Sequence, residues 1–263
     1  TVSRLVPKNG VDVLIRAFAE VRKIMPDTLL SIVGDGPERD ALEKIAYALG
    51  VRDAVVFHGT VPHQDIPRHL HVADVFVRAS RSEGMGNAFV EAMAAGLPVI
   101  GTAVGGIPDI IAHEENGLMA RPEDAHDLAR QIIRLFNDPA FAQSMAAAGN
   151  EKALRDFDWS AIARAYGELF SQEIGARKKV VIATGLSPPD IGGPATYVHL
   201  LTEALPAYGV AMRVAAFRHV RKFPKILRHA IYFWKVATMA RGGDIIFAQD
   251  PVSTGLPALC AAR

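Results

Sequence analysis

From Thr1 to Phe136, short runs of β-branched and aliphatic residues alternate with longer segments in which apolar residues recur at helical spacing. A chain patterned this way has few options. A strand reaches a parallel partner only through a crossover, and the crossovers must pack back on the faces of the sheet. The strand runs are TVSRLV from Thr1, TLLSIVG from Thr28, Ala54 to His58, Asp74 to Val77, Pro98 to Gly101 and Gly117 to Ala120. Helical patterns cover Val11 to Val21, Glu38 to Leu49, Ile66 to His71, Asn87 to Ala95, Ile107 to Ala112 and Ala125 to Phe136. Together they predict an α/β, doubly wound, Rossmann-like domain with a mostly parallel sheet covered on both faces. Two further helices, Phe141 to Arg155 and Trp159 to Glu173, have no strand between them and predict a closing helical tail.

The pattern then restarts. A polar hinge from Gly175 to Lys179 leads into KKVVIATG and a Gly-rich loop, as at the start of an independent α/β unit. Three strand candidates follow, Val180 to Thr184, Met212 to Phe217 and Asp244 to Ala248. The sequence ends inside the apolar run LPALCAA, where a three-stranded sheet would leave an open edge. The expected division is a first domain over 1–176 and a second, incomplete Rossmann-like domain over 177–263. The chain is read as truncated there, and at Thr1 as well.

Composition narrows the function classes. The 29 Lys and Arg nearly cancel the 28 Asp and Glu, so no global field draws the chain to nucleic acid. The single cysteine, Cys260, excludes an internal disulfide framework and fits a reducing cytoplasm. No apolar run approaches the roughly 18 residues that span a bilayer. GDGPER, with Gly34, Asp35, Gly36 and Pro37 between a strand and a helix, is not the G-x-G-x-x-G of dinucleotide folds, which disfavours a nicotinamide enzyme. Its plainer reading is a tight turn and helix start. No catalytic histidine is assigned; His58, His63, His69 and His71 read as surface or strand residues.

The chemistry concentrates in ADVFVRASRSEGMGNAFVEAMAAGLPVIGT. Glu83 falls in a Gly-containing loop, and Glu91 lies one turn into the next helix. That spacing is expected to turn both carboxylates toward one pocket. The free N–H groups at the helix start, near Gly86 to Ala88, suit a diphosphate, and the carboxylates can accept hydrogen bonds from sugar hydroxyls. Two acids at that spacing also fit an ordinary capped helix. Gly105 and Gly106 read as a helix-opening turn that could border the phosphates.

Glu83 and Glu91, followed by EAMAAGLPVI and GGIPDII, resemble the donor site of retaining family 4 glycosyltransferases with the GT-B fold. The resemblance extends over SRLVPKNGVDVLIRAF, LLSIVGDGPERDAL, VVFHGTV and the FDW at Phe157 to Trp159, in family order. It implies that Glu83 binds hydroxyls of the transferred sugar and Glu91 the nucleotide ribose. Gly84, Met85, Gly86, Asn87 and Ala88 would cradle the sugar and distal phosphate with their amides, and Val61 would pass the base. Arg4 matches the arginine that neutralises the departing diphosphate. The family's lysine stands just before the glycine, where this chain has Asn9; Lys8, one position earlier, either reaches over or leaves the clamp weakened.

In the second domain, ATGLSPPDIGGPATYVHLLTEAL resembles the opening of the family's acceptor domain, and Gly192 and Gly193 match its phosphate-facing glycine pair. The family places the acceptor domain first; the reversed order here suggests a junction fragment of two fused transferases or a truncated circular permutant. Between Arg218 and Arg241 the chain carries seven Lys or Arg, two His and no acid, mixed with aromatics. This suits a basic amphipathic helix on anionic lipid, at the inner face of the membrane. A helix packing its apolar stripe on the sheet is the commoner fate of such a pattern. The expected function is transfer of a hexose-type sugar from a nucleotide sugar to a glycan or lipid-linked acceptor, with retention, without a metal or cofactor and without a nucleic-acid partner. The alternatives are a nucleotide-sugar-binding module or an inactive fragment of a fused transferase. A two-carboxylate glycoside hydrolase is disfavoured, because Glu83 and Glu91 belong to one loop and helix rather than to opposite sides of a cleft.

Overall fold

The computed structural model describes residues 1–174, 179–185, 193–240 and 245–249. It divides into two compact units, Thr1–Phe157 and Asp158–Arg263. The first runs α1 (Val11–Ile24), β1 (Leu30–Val33), α2 (Arg39–Ala48), β2 (Val55–Gly59), α3 (Ile66–His71), β3 (Phe76–Val77), α4 (Asn87–Ala94), β4 (Val99–Thr102), α5 (Ile107–Ile110), β5 (Leu118–Ala120), α6 (Ala125–Asn137) and α7 (Pro139–Asp156). β1 pairs with β2, and β4 lies between β3 and β5, all in parallel.

Strand side chains alternate between two cores, as period-2 geometry requires of a sheet covered on both faces. Val77 of β3 and Ile100 of β4 join Leu14, Ile15 and Phe18 of α1 and Leu128 and Leu135 of α6. Their neighbours Phe76 and Val99 join Phe89 and Met93 of α4, Ile107 of α5 and Ala153 of α7 on the other side. Side-chain caps start α6 and α7: Asp124 accepts from the Asp127 amide and Asp138 from the Phe141 amide, with Pro139 opening α7. The doubly wound α/β class expected from the alternation is therefore the one found.

Two details differ from the sequence pattern. TVSRLV forms a single parallel bridge, Val2 to Val33, rather than a full strand. It still lies along β1: the Ser3 amide donates to Val33 O (2.9 Å), Val33 to Thr1 O (2.9 Å) and Leu5 to Asp35 O (3.0 Å). The pattern also assigns the helix Trp159–Ile174, α8, to the first domain, whereas packing assigns it to the second unit. Its Phe170 is buried with Val180 and Ile182, and Tyr166 packs against the same cluster. An aromatic stripe follows whichever apolar surface it can cover.

That second unit continues with β6 (Lys179–Thr184), α9 (Gly193–Ala204), β7 (Ala211–Ala216), α10 (Lys225–Met239) and β8 (Ile245–Ala248), in the parallel order β7-β6-β8. Successive β6 residues again serve two cores: Val180 and Ile182 meet α9, while Val181 and Ala183 meet α10. Gly193 opens α9; Gly192 lies outside the described residues. The basic segment does pack an apolar stripe inward. Tyr232 and Val236 are fully buried, and the Tyr232 hydroxyl donates to Ala215 O (2.6 Å). Trp234 stays 66% exposed and Leu227 is also exposed.

Candidate functional site

The site elements meet where β3 ends. After Val77 the chain leaves the sheet through Arg78, Ala79 and Ser80 and loops to Gly86, which starts α4 in the left-handed region (φ 80°). Gly86 brings no side-chain cap, so the amides of Asn87 and Ala88 have no hydrogen-bond partner among the described residues; the Phe89 amide turns back to Gly86 O (2.9 Å). Asn87 is exposed and Ala88 half-buried, and Met85 beside them is exposed.

The Gly105–Gly106 turn supports this loop from behind. The Gly106 amide donates to Gly84 O (2.8 Å), and Gly105 has φ 55° with the Glu83 carbonyl against its Cα. Any side chain at Gly105 would overlap that carbonyl. The turn's contact is thus with the loop that carries Glu83.

Glu83 is held rather than free. Its Oε2 forms an ion pair with Arg78 Nη2 (2.5 Å) and accepts from Ser80 Oγ (3.5 Å), and its Oε1 accepts from the Gly84 amide (3.2 Å). The side chains of Arg78 and Glu83 are only 10% and 12% exposed. Arg78 Nη2 also donates to Oδ1 of Asn9 (3.0 Å), which is 3% exposed. Asn9 Nδ2 in turn donates to Arg4 O (2.7 Å). Burial pulls the Arg78 guanidinium below its ordinary pKa, and the Glu83 charge opposes that pull.

Arg4 and Lys8 lie on the same segment. Both side chains are exposed and make no ion pair or hydrogen bond among the described residues, so both are open to an anion. Lys8 O accepts from the Arg81 and Ser82 amides (2.8 and 3.3 Å). Arg81 clamps the same segment with its side chain, reaching both Asp12 oxygens (2.7 and 2.8 Å), Pro7 O (2.7 Å) and Glu123. These bonds push the Arg81 pKa up and hold the Asp12 carboxyl below the usual range.

Glu91 sits on α4, half-buried and with different neighbours. Burial raises its pKa, and nearby His63 opposes the rise. His63 follows the half-buried Val61 by two residues in the loop after β2, so that loop lies within electrostatic reach of Glu91. The structure thus links Arg4, Asn9, Glu83 and Gly84 through Arg78 in one chain of hydrogen bonds and an ion pair. Among the described residues no hydrogen bond joins the Glu83 group to Glu91. Sequence reasoning missed Arg78, Arg81 and His63. A signal existed for the first: an arginine interrupting the apolar strand run VFVRAS.

The sequence profile of the family "Glycosyl transferases group 1" matches residues 1–152, more than half of the chain. The chain belongs to that family. A GDP-mannose-dependent alpha-(1-6)-phosphatidylinositol monomannoside mannosyltransferase of Mycolicibacterium smegmatis is 36% identical to this group 1 chain over 184 residues, covering 67% of the chain and 48% of that enzyme. The lipopolysaccharide core biosynthesis glycosyltransferase LpsD of Rhizobium meliloti is 37% identical over 176 residues, covering 67% and 50%. Among solved structures, HepE of Anabaena in complex with UDP is 30% identical with a TM-score of 0.60, over 65% of this chain and 47% of that one. The chain spans about half the length of the curated relatives it matches.

Proposed function

We propose that the first unit is the donor-binding half of a retaining, metal-independent family 4 glycosyltransferase, moving a hexose-type sugar from a nucleoside diphosphate sugar to a glycan or lipid-linked acceptor. The observation that carries this reading is the arrangement at the β3 end: amides of Asn87 and Ala88 and exposed cations at Arg4 and Lys8 that have no partner among the described residues, with an anchored carboxylate at Glu83. Amides and cations of this kind match the charge of a departing diphosphate, which is electrostatic stabilisation of the transition state. Glu83 accepts from a sugar hydroxyl, Glu91 from the ribose, Gly84 to Ala88 cradle the sugar and distal phosphate, and Val61 borders the base. Relatives named for GDP-mannose and a neighbour solved with UDP and glucose support a nucleotide-sugar donor.

Calorimetric titration with UDP, GDP, UDP-glucose and GDP-mannose tests the reading on wild type and on Glu91→Ala. Binding by one base series, weakened at least about tenfold by Glu91→Ala, supports it; no binding by any of the four overturns it.

A second reading, a nucleotide-sugar-binding module without turnover, is favoured by one observation: Asn9 is buried and bonded to Arg78, so no cation stands at that position. Nucleotide release that requires Glu83 and an acceptor separates the two. Peripheral contact with the cytoplasmic membrane face is proposed for the outer surface of α10, where exposed Trp234 and Leu227 lie in a stretch without acids.

A further inference from the structure

We infer that Arg78 is a positioning residue for the donor sugar, holding Glu83 by an ion pair and reaching the Arg4 segment through its hydrogen bond to Asn9. The inference rests on the donor-site reading above and adds a residue to it. A guanidinium buried nine-tenths at the end of a strand is costly unless its charge is met, and Glu83 meets it at 2.5 Å. The remaining bonds run outward from that pair. Asn9 accepts from the same nitrogen and donates to Arg4 O, so three links join the loop carrying Glu83 to the segment carrying Arg4 and Lys8. Arg78 Nε has no partner among the described residues, so the side chain is not placed there by saturating its own hydrogen bonds. What its position does achieve is to commit Oε2 of Glu83. Oε1, bonded only to the neighbouring Gly84 amide, is left as the oxygen that can accept from a sugar hydroxyl.

The consequence is a division of labour that a purely structural arginine would not produce. The nucleoside diphosphate contacts proposed for Glu91 and the α4 amides do not pass through Arg78, and the segment of Arg4 and Lys8 has further anchors of its own, Arg81 on Pro7 O and Lys8 O and the Leu5 amide on Asp35 O, whereas sugar recognition through Glu83 does pass through Arg78. Removing Arg78 should therefore erase the extra affinity that the sugar confers and spare the nucleotide itself.

Titration of the full chain with UDP, GDP, UDP-glucose and GDP-mannose reads this directly. In wild type the sugar nucleotide of the accepted base should bind about tenfold or more tighter than its diphosphate. In Arg78→Met the two should come within about twofold, with diphosphate affinity kept within about threefold of wild type, and Arg78→Lys should recover part of the difference. Arg78→Gln gives a second arm, since it keeps a polar side chain at the site but no charge for Glu83, and it should shrink the sugar increment with diphosphate affinity retained; this arm decides the matter if Arg78→Met does not fold. A sugar increment intact in either folded variant overturns the inference, as does a diphosphate affinity that falls in step with it. If wild-type protein binds none of the four ligands, the donor-site reading fails instead. If it binds diphosphates and sugar nucleotides alike, the role given to Glu83 is lost, and that of Arg78 with it.

Discussion

Gly105→Ala isolates the geometric dependence of the site on its backbone support. Gly105 has φ 55°, and an added Cβ would overlap Glu83 O and come within 2.8 Å of the Glu83 carbonyl carbon. Carbon atoms in contact prefer about 3.5 to 4.0 Å, so the Glu83 backbone must retreat by roughly 1 Å. Gly96→Ala supplies the control. Gly96 has φ 79° but nothing within 4 Å of its added Cβ, so it bears the left-handed backbone cost without the displacement. That shared cost is about 1 to 3 kcal/mol, several degrees of melting temperature for a unit of this size. A misplacement of about 1 Å at a site residue can cost on the order of 100-fold in function. Thermal melts and calorimetry on both variants should therefore show two destabilised proteins, of which only Gly105→Ala loses sugar-nucleotide affinity, by about 100-fold. Wild-type affinity in Gly105→Ala, or an equal loss in Gly96→Ala, refutes the reasoning.

Glu91→Gln should raise the melting temperature at neutral pH while weakening nucleotide binding. Burial raises the Glu91 pKa, so its ionisation costs stability as pH rises through the folded value, and the gain should vanish below about pH 4, where the wild-type carboxyl is protonated in both states. Asp12 has the opposite sign. Arg81 depresses its pKa, so its contribution is full above the unfolded carboxyl value near 3.9 and is lost as pH falls through the lower folded one; urea midpoints of Asp12→Asn should show a shallower acid limb than wild type. Tyr232→Phe removes the buried bond to Ala215 O and should cost about 1 to 3 kcal/mol in urea unfolding, with nucleotide affinity unchanged. Trp234→Ala should reduce co-sedimentation with anionic vesicles at low salt; wild-type binding indifferent to lipid charge and salt removes the membrane proposal.

Much of this was legible in one dimension because the determining physics is local. The alternation of strand and helix periods requires parallel strands with covered faces, and Val77 and Ile100 fall into one core while Phe76 and Val99 fall into the other. Glu83 in a loop and Glu91 on the following helix are near in sequence, so their elements could be named from spacing alone. The separate allegiances of the two carboxylates could not. Glu83 pairs with Arg78 and Glu91 lies within electrostatic reach of His63, and neither partner follows from helical phase.

The amino-acid order by itself determined the element types, the parallel class of sheet and the loop that presents the first glutamate, since each depends on residues within a few positions of one another. Tertiary structure decided which unit α8 joins and what Asn9 does. The Asn9–Arg78 bond links residues 69 positions apart, and the Arg81 and Ser82 amides hold the same N-terminal segment through Lys8 O. An unmatched cation buried there would be expensive, so the partners of Arg78 are selected by proximity and charge, which no periodicity along the chain encodes.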